Sequence, residues 1–247
     1  MCGRYAYTLP PDAMRDLFDV LNTVDYPPRY NITPTQPILA VAEREGRRLS
    51  DLFRWGFMPH WVKDPKDFPL LINARAETIA DKPAFRDATR NSRCVVPASG
   101  YFEWMKGADG QRRPYYITSR EAETMAFAGL YSTWAGPNGE EVDTVCIVTV
   151  NPNLDISGVY DRMPAILRGK SAVDDWLNCR DVPGKDAVTL LAAPPEGTMQ
   201  YHPVGKEIGK TTAEGADLIR PVDIAAEDAA PPKPKKKASG GGQLDLF

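Results

Sequence analysis

Short strand-like segments separated by turns run through most of this 247-residue chain. They are rich in β-branched and aromatic residues, which favour pleated, half-buried structure. Helical spacing of apolar residues is confined to 11–21, 82–88 and 171–177, while 187–191 fits either a helix or a strand. The pattern predicts an α+β domain with a bent, barrel-like mixed β-sheet flanked by short helices. The predicted strands are 38–43, 49–57, 70–72, 94–98, 101–105, 115–118, 126–132 and 145–150.

The composition changes sharply near Pro221. Residues 223–242 consist largely of Ala, Pro, Lys and Gly and contain almost no large apolar side chain, so they cannot build a core. We therefore expect one folded domain over residues 2–222 and a disordered linker over residues 223–242. A separate apolar segment follows at residues 243–247.

The bulk composition excludes several classes of protein. Hydrophobic residues make up 43% of the chain and charged residues 26%, values typical of soluble globular proteins. Because no apolar run approaches the roughly 18 residues that cross a bilayer, and no secretory signal is present, we expect a cytoplasmic protein without a membrane partner. Four dispersed cysteines and two histidines argue against a zinc site, and we expect no cofactor. The net charge of −3 neither supports nor excludes a nucleic-acid partner.

A cysteine stands at position 2, directly after Met1. Aminopeptidases usually remove Met1 before so small a residue, which would leave an amine and a thiol on adjacent carbons of Cys2. The amine, with a pKa of about 7.7–8.0, forms a Schiff base with an aldehyde, and the thiol then closes a thiazolidine ring. The same arrangement serves amidohydrolases in which the terminal amine is the base for the thiol. Taken alone, Cys2 also fits a residue without chemical function.

Further motifs follow Cys2 in a defined order along the chain. They are Cys2-Gly3-Arg4-Tyr5, Arg29-Tyr30-Asn31-Ile32-Thr33-Pro34-Thr35, Trp55-Gly56 with Pro59 and Trp61, Asn73-Ala74-Arg75-Ala76-Glu77-Thr78, Gly100-Tyr101-Phe102-Glu103-Trp104, Asp161-Arg162-Met163-Pro164 and His202-Pro203-Val204. Together they resemble the SRAP family, the SOS-response-associated peptidase-like proteins, over residues 2 to about 222. Because several ordered motifs carry it, the resemblance is highly specific.

The resemblance implies a function in the response to DNA damage. SRAP proteins recognise abasic sites in single-stranded DNA and link to them covalently through the terminal cysteine, by Schiff-base chemistry of the kind lyases use. This agrees with the chemistry of Cys2, because the ring-opened sugar of an abasic site is an aldehyde. The link shields the lesion, and "peptidase" refers to self-removal of Met1. The expected partner is therefore single-stranded DNA with an abasic site, and nothing in the sequence indicates more than a monomer.

Three residues match the catalytic positions of the SRAP family. Cys2 matches the nucleophile, and Asn73 matches the asparagine that holds the terminal amine or the sugar hydroxyls. Glu103 matches the acid–base glutamate, and its position between two aromatic residues predicts partial desolvation and a raised pKa. The alternatives are a turn asparagine at 73 and a surface glutamate on an edge strand at 103.

Five further residues match or neighbour the family's DNA-contacting positions. The guanidinium groups of Arg4, Arg75 and Arg162 suit phosphate oxygens, although an ion pair with Asp or Glu is the common alternative for any arginine. Thr149 is a candidate hydroxyl donor to the backbone. Trp104 is a candidate for stacking on bases near the lesion, with a core position as its alternative.

Tyr160 departs from the family pattern. The family normally has histidine immediately before the Asp-Arg-x-Pro segment, and that histidine assists sugar ring opening and proton transfer. Tyrosine, with a pKa near 10, donates a hydrogen bond at neutral pH but is a poor base. The departure predicts slower formation or reversal of the crosslink.

The last five residues resemble the pentapeptide by which bacterial proteins bind the replicative sliding clamp. Leu244, Leu246 and Phe247 supply apolar contacts, and Gln243 supplies a polar one. A flexible linker would then raise the local concentration of the folded domain at the replication fork. The tail therefore predicts the sliding clamp as a second partner.

Two alternatives to the crosslinking function remain at this stage. Glutamine amidotransferases of the N-terminal-nucleophile type also begin with Cys followed by Gly, although further glutamine-binding motifs are missing from this sequence. The other alternative is a non-catalytic adaptor bound to the clamp, with Tyr160 marking lost chemistry.

Overall fold

The fold combines two β-sheets with short helices. The computed structural model describes residues 2–225, within which there are thirteen strands and five α-helices. The strands are β1 (Tyr5–Tyr7), β2 (Arg29–Ile32), β3 (Pro37–Arg44), β4 (Arg47–Trp55), β5 (Asn73–Arg75), β6 (Arg93–Ala98), β7 (Gly100–Lys106), β8 (Arg112–Ser119), β9 (Met125–Ala135), β10 (Glu141–Val150), β11 (Met163–Pro164), β12 (Ile166–Leu167) and β13 (Met199–Pro203). The helices are α1 (Pro11–Phe18), α2 (Arg86–Asn91), α3 (Leu154–Ser157), α4 (Gly169–Leu177) and α5 (Gly184–Ala187).

Five strands close into a barrel at the centre of the domain. In the larger sheet β10 pairs both with β4 and with β9, which joins the ends of the series β4-β3-β6-β9. The β10–β4 pair is parallel and the other pairs of the barrel are antiparallel, so the sheet is mixed. The prediction of an α+β fold with a barrel-like mixed sheet is therefore confirmed. The structure adds a second sheet with the order β13-β8-β7-β1-β2.

The predicted strands of the barrel agree with the structure. The hairpin of β3 and β4 turns at Glu45 and Gly46, whose φ angles of 54° and 70° lie in the left-handed region. Glycine adopts this conformation without steric cost, which explains a tight turn at that point. Inside the barrel, fully buried apolar side chains from neighbouring strands form the core, among them Val41, Val95 and Val145.

The boundaries of several helices and of one strand differ from the predictions. The helix predicted over 11–21 ends at Phe18, because Asp19 has a φ of 51° and caps the last turn through its N–H. The helix predicted over 82–88 is observed at Arg86–Asn91, and residues 187–191 are helical rather than extended. In the predicted strand 70–72, Leu71 forms an isolated bridge to Phe57, and the strand proper starts at Asn73.

The two sheets together position the candidate site. Strand β1 lies between β2 and β7. Cys2, just before β1, therefore lies close to Glu103 on β7. Strand β5 pairs in parallel with β10 and brings Asn73 to the same place. No helix within residues 2–225 has the length and apolar character needed to cross a membrane. The tail at 243–247, and all of the predicted linker except residues 223–225, lie outside the described residues.

Candidate functional site

Cys2 is fully buried and lies three residues before β1. Its Sγ lies 3.9 Å from the carbonyl oxygen of Arg4, and its own carbonyl oxygen accepts a hydrogen bond of 2.8 Å from Nδ2 of Asn73. Burial raises the pKa of the Cys2 thiol, and the charge of Glu103 raises it further. The thiol is therefore protonated at rest and needs a base and a donor before it can react.

Asn73 joins Cys2 to the barrel. It is the first residue of β5 and pairs with Ile147 on β10. While its Nδ2 is bonded to Cys2, its Oδ1 is buried and has no hydrogen-bond partner among the residues that the structure describes. A buried amide oxygen without a donor is a ready acceptor for an amine or a hydroxyl.

Glu103 is buried on β7, opposite Tyr115 of β8, with 4% of its surface exposed. Burial raises the pKa of its carboxyl to about 7, with the charge of Asp161 adding to the effect and that of Arg112 opposing it. Its burial differs from the surface position that strand alternation allowed. A carboxyl with this pKa can both donate and accept a proton near neutral pH.

Tyr160 follows α3 and lies half-buried near Glu103. Burial raises the pKa of its phenol, and the charges of Glu103 and Asp161 raise it further. Tyr160 is therefore a neutral hydrogen-bonding group at physiological pH. Tyr160 lies close to Glu103, at the position where the family normally has histidine.

Arg4 and Trp104 pack together beside Phe102, on the opposite face of β7 from Tyr101. The Arg4 guanidinium donates to Oδ1 of Asn31 at 2.8 Å and to the carbonyl of Ile208, and lies over the Trp104 ring at 5.6 Å from its centroid. Asn31 is fully buried and in turn donates to two carbonyl groups of the loop at 210–213. Arg4 thus braces Trp104, which is half-buried.

Arg162 and Thr149 lie in the interior instead. Nη1 of Arg162 donates to Oε1 of Glu77 at 2.7 Å, and Nη2 donates to the carbonyl of Thr149 at 2.6 Å. Thr149 is fully buried, with its hydroxyl 3.4 Å from the carbonyl of Ala74. Arg162 therefore has the ion pair that its sequence left open as the alternative. In this conformation neither side chain reaches the surface, whereas Arg75 is exposed.

Two residues of the site escaped the sequence analysis. Tyr101 is fully buried two residues before Glu103, and Asn31 braces Arg4 from β2. Strand alternation was the available signal for Tyr101, because residues two apart share a face of the sheet. Within residues 2–225 no three His, Cys, Asp or Glu side chains come together as a metal ion would require.

Family membership follows from comparison of the whole chain with known proteins. The family model described as SOS response associated peptidase (SRAP) matches residues 1–211. The chain belongs to the SRAP family. This SRAP chain is 33% identical over 222 residues to the abasic site processing protein YoaM of Bacillus subtilis, covering 89% of this chain and 97% of the relative. It is 31% identical over 230 residues to the abasic site processing protein YedK of Escherichia coli, covering 90% and 100%.

Relatives of the SRAP chain extend beyond bacteria. The abasic site processing protein HMCES of Rattus norvegicus is 28% identical over 293 aligned positions, covering 98% of this chain and 80% of the relative. Among solved structures, a protein of Bacteroides thetaiotaomicron has the same fold, with a TM-score of 0.78, 24% identity and coverage of 90% and 100%. A phage-related protein of Bordetella bronchiseptica has a TM-score of 0.65 with 29% identity, covering 82% and 94%.

Proposed function

We propose that this SRAP protein recognises abasic sites in single-stranded DNA and forms a thiazolidine crosslink to them through Cys2 after Met1 is removed. The relatives at about 30% identity are named abasic site processing proteins, which supports the substrate class. The observation that carries the proposal is that Cys2, bonded through its carbonyl oxygen to Asn73, lies close to the buried carboxyl of Glu103. It combines an aminothiol precursor with an amide acceptor and a carboxyl of pKa about 7.

The first chemical step joins the amine to the aldehyde. The neutral amine of Cys2 attacks the aldehyde carbon, a C–N bond forms, and a proton moves from nitrogen to oxygen to give a carbinolamine. In this proposal Oδ1 of Asn73 accepts a hydrogen bond from the amine, and a neutral amide does so without protonating it; the support is that Oδ1 is buried and has no partner within residues 2–225.

Glu103 then transfers protons in two directions. Its carboxylic acid protonates the carbinolamine hydroxyl, which leaves as water, so that an iminium ion and a carboxylate remain. The carboxylate accepts the Cys2 thiol proton, the sulfur attacks the iminium carbon, and the C=N electron pair returns to nitrogen. One water is released for each thiazolidine, and Glu103 ends protonated.

DNA is expected to approach from the exposed side of the cluster. Arg75, exposed two residues after Asn73, suits a phosphate, and the half-buried Trp104, braced by Arg4 at the other face of β7, offers a face for a base at the strand edge. Arg162 and Thr149 would act indirectly, by holding the loop before Tyr160 through their bonds to Glu77 and to each other.

Denaturing gel electrophoresis with an abasic single-stranded oligonucleotide tests the proposal. The wild type should give a shifted band that survives denaturation, Cys2→Ser should give none, and Cys179→Ser, which removes another thiol, should behave as the wild type. An unshifted wild-type band would reject the crosslink. Ammonia release from glutamine in the same preparation would favour an amidotransferase instead, and neither activity would favour an adaptor.

We further propose that residues 243–247 bind the replicative sliding clamp. The support is the sequence Gln243-Leu244-Asp245-Leu246-Phe247 after a Lys- and Gly-rich segment. In a pull-down with purified clamp, deletion of 243–247 should abolish binding, while alanines at the lysines of 235–237 should not. Unchanged binding of the deletion variant would reject this partner without affecting the crosslink proposal.

A further inference from the structure

The hydroxyl of Tyr101 is a buried polar group that packing does not explain. Tyr101 is fully buried on β7, and its Oη has no hydrogen-bond partner among residues 2–225. Its ring packs edge-on against Phe127 at 6.0 Å between centroids. Phenylalanine would make the same ring contact without burying an unpaired hydroxyl, which is costly. The hydroxyl is therefore a candidate for a chemical role.

Tyr101 lies on the face of β7 that also carries Glu103. Tyr101 and Glu103 are two residues apart on β7, so their side chains lie on the same face. Tyr101 also pairs with Tyr5, which places the start of β1, and Cys2 just before it, beside that face. Burial raises the pKa of Tyr101, and the charges of Cys2 and Glu103 raise it further. The phenol therefore keeps its proton and is available as a donor.

Cys2 has the complementary need. Within residues 2–225, Sγ of Cys2 donates one long hydrogen bond, of 3.9 Å, to the carbonyl oxygen of Arg4. Burial and the neighbouring Glu103 both disfavour the thiolate that ring closure requires. A thiolate in such surroundings is stabilised by a hydrogen-bond donor aimed at the sulfur.

We propose that the Tyr101 hydroxyl donates a hydrogen bond to Sγ of Cys2 as the thiazolidine ring closes, which makes Tyr101 a further catalytic residue. The proposal rests on the crosslinking function. In the step concerned, the thiol proton passes to the Glu103 carboxylate, the S–C bond forms, and the iminium electron pair returns to nitrogen. Tyr101 keeps its own proton throughout and lowers the cost of the negative sulfur.

Tyr101→Phe tests the proposal, with Tyr7→Phe as the matched control. Tyr7 is also buried, its hydroxyl also lacks a partner within residues 2–225, and it packs against Tyr26 instead. We expect Tyr101→Phe to slow ring closure about tenfold, with an intermediate that borohydride traps, because hydrogen bonds to charged groups have about this effect. Both variants should melt at or above the wild-type temperature.

A second measurement does not depend on DNA. The pH dependence of Cys2 alkylation by iodoacetamide, read on the Cys2 peptide by mass spectrometry, should shift to higher pH by about one unit in Tyr101→Phe. Tyr7→Phe should leave it unchanged. Wild-type alkylation and ring closure in Tyr101→Phe, or equal slowing in both variants, would overturn the proposal. If the wild type forms no crosslink, the proposed function fails, while the alkylation profile still decides whether Tyr101 contacts the sulfur.

Discussion

Two buried polar clusters in this protein differ in how completely their groups are paired. The Arg93 guanidinium is enclosed and donates to four backbone carbonyl groups at 2.5–2.9 Å. Around Cys2, by contrast, Asn73 Oδ1 and the Tyr101 hydroxyl are buried without partners among the described residues, and Glu103 has a pKa of about 7. Since buried polar groups are nearly always paired, we infer that the first cluster stabilises the fold and propose that the second serves the chemistry of Cys2.

Arg93→Ala should have the largest effect, and it tests the structural half of the comparison. The change leaves four carbonyl groups without their donor, at roughly 1–3 kcal/mol each, so the free energy of unfolding should fall by about 4 kcal/mol or more. Urea denaturation measures it. The exposed Arg90 on α2 is the matched control, and Arg90→Ala should stay within about 0.5 kcal/mol of the wild type. A loss below about 1 kcal/mol for Arg93→Ala would contradict the comparison.

The pH dependence of the free energy of unfolding should reveal the cost of ionising Glu103 in the cluster around Cys2. The pKa of Glu103 is raised from 4.5 to about 7 on folding, so both states hold the proton below pH 4.5 and only the folded state keeps it between 4.5 and 7. Stability should therefore fall as pH rises through this window, by up to about 3 kcal/mol, and Glu103→Gln should remove that fall.

Glu77 gives the opposite sign and serves as the control for this experiment. The hydrogen bond from Arg162 lowers the pKa of the Glu77 carboxyl, so its contribution to stability is present above pH 4.5 and is lost as pH falls through its folded pKa. Glu77→Gln should flatten the acid side of the profile only. If Glu103→Gln and Glu77→Gln changed the pH dependence of the free energy of unfolding in the same pH range and with the same sign, the two carboxyls would not differ as described.

Glu103→Gln should also slow crosslinking about a hundredfold, the usual scale for loss of a general acid and base. The wild-type rate should titrate with an apparent pKa near 7, and the variant should lose that titration. Single-turnover kinetics on abasic single-stranded DNA between pH 5 and 9 measure both. A wild-type profile with no such ionisation, or a variant that retains it, would assign the proton transfers to another group.

Tyr160→His should have the smallest effect and sharpen the view of the reactive cluster. Histidine, with a pKa near 6.5, adds a base beside Glu103 where tyrosine supplies only a donor. We expect crosslink formation or reversal to become several-fold faster, measured by gel time courses. Equal rates for the two proteins in both directions would remove Tyr160 from the account.

The sequence predicted most strands of the barrel but not the strand pairing that closes it. Strands β3, β4, β6, β7, β9 and β10 were predicted from local composition, because their patterns are local. The parallel pairing of Thr144 with Arg54, which closes the barrel, joins segments far apart in the chain and has no local signal. In the second sheet, β7 and β8 were predicted, whereas β1 and β2 were missed because they are only three and four residues long.

The same distinction applies to the site. Cys2, Asn73 and Glu103 came from motifs, and the structure brings them together. The engagement of Arg162 by Glu77 depends on a fold-level contact, so a motif that resembles a DNA-contacting segment could not reveal it. The two-residue spacing of Tyr101 and Glu103 on a predicted strand indicates that they share a face. Only the structure shows that the Tyr101 hydroxyl lacks a partner within residues 2–225.

Peptide mapping of the DNA-linked protein tests the central claim most directly. After nuclease and protease digestion, the account predicts one modified peptide that begins at Cys2, lacks Met1, and carries the abasic sugar remnant with loss of one water. The same peptide should be unmodified after incubation with intact single-stranded DNA. A peptide that retains Met1 and is still crosslinked, or a sugar remnant on any residue other than Cys2, would contradict the account.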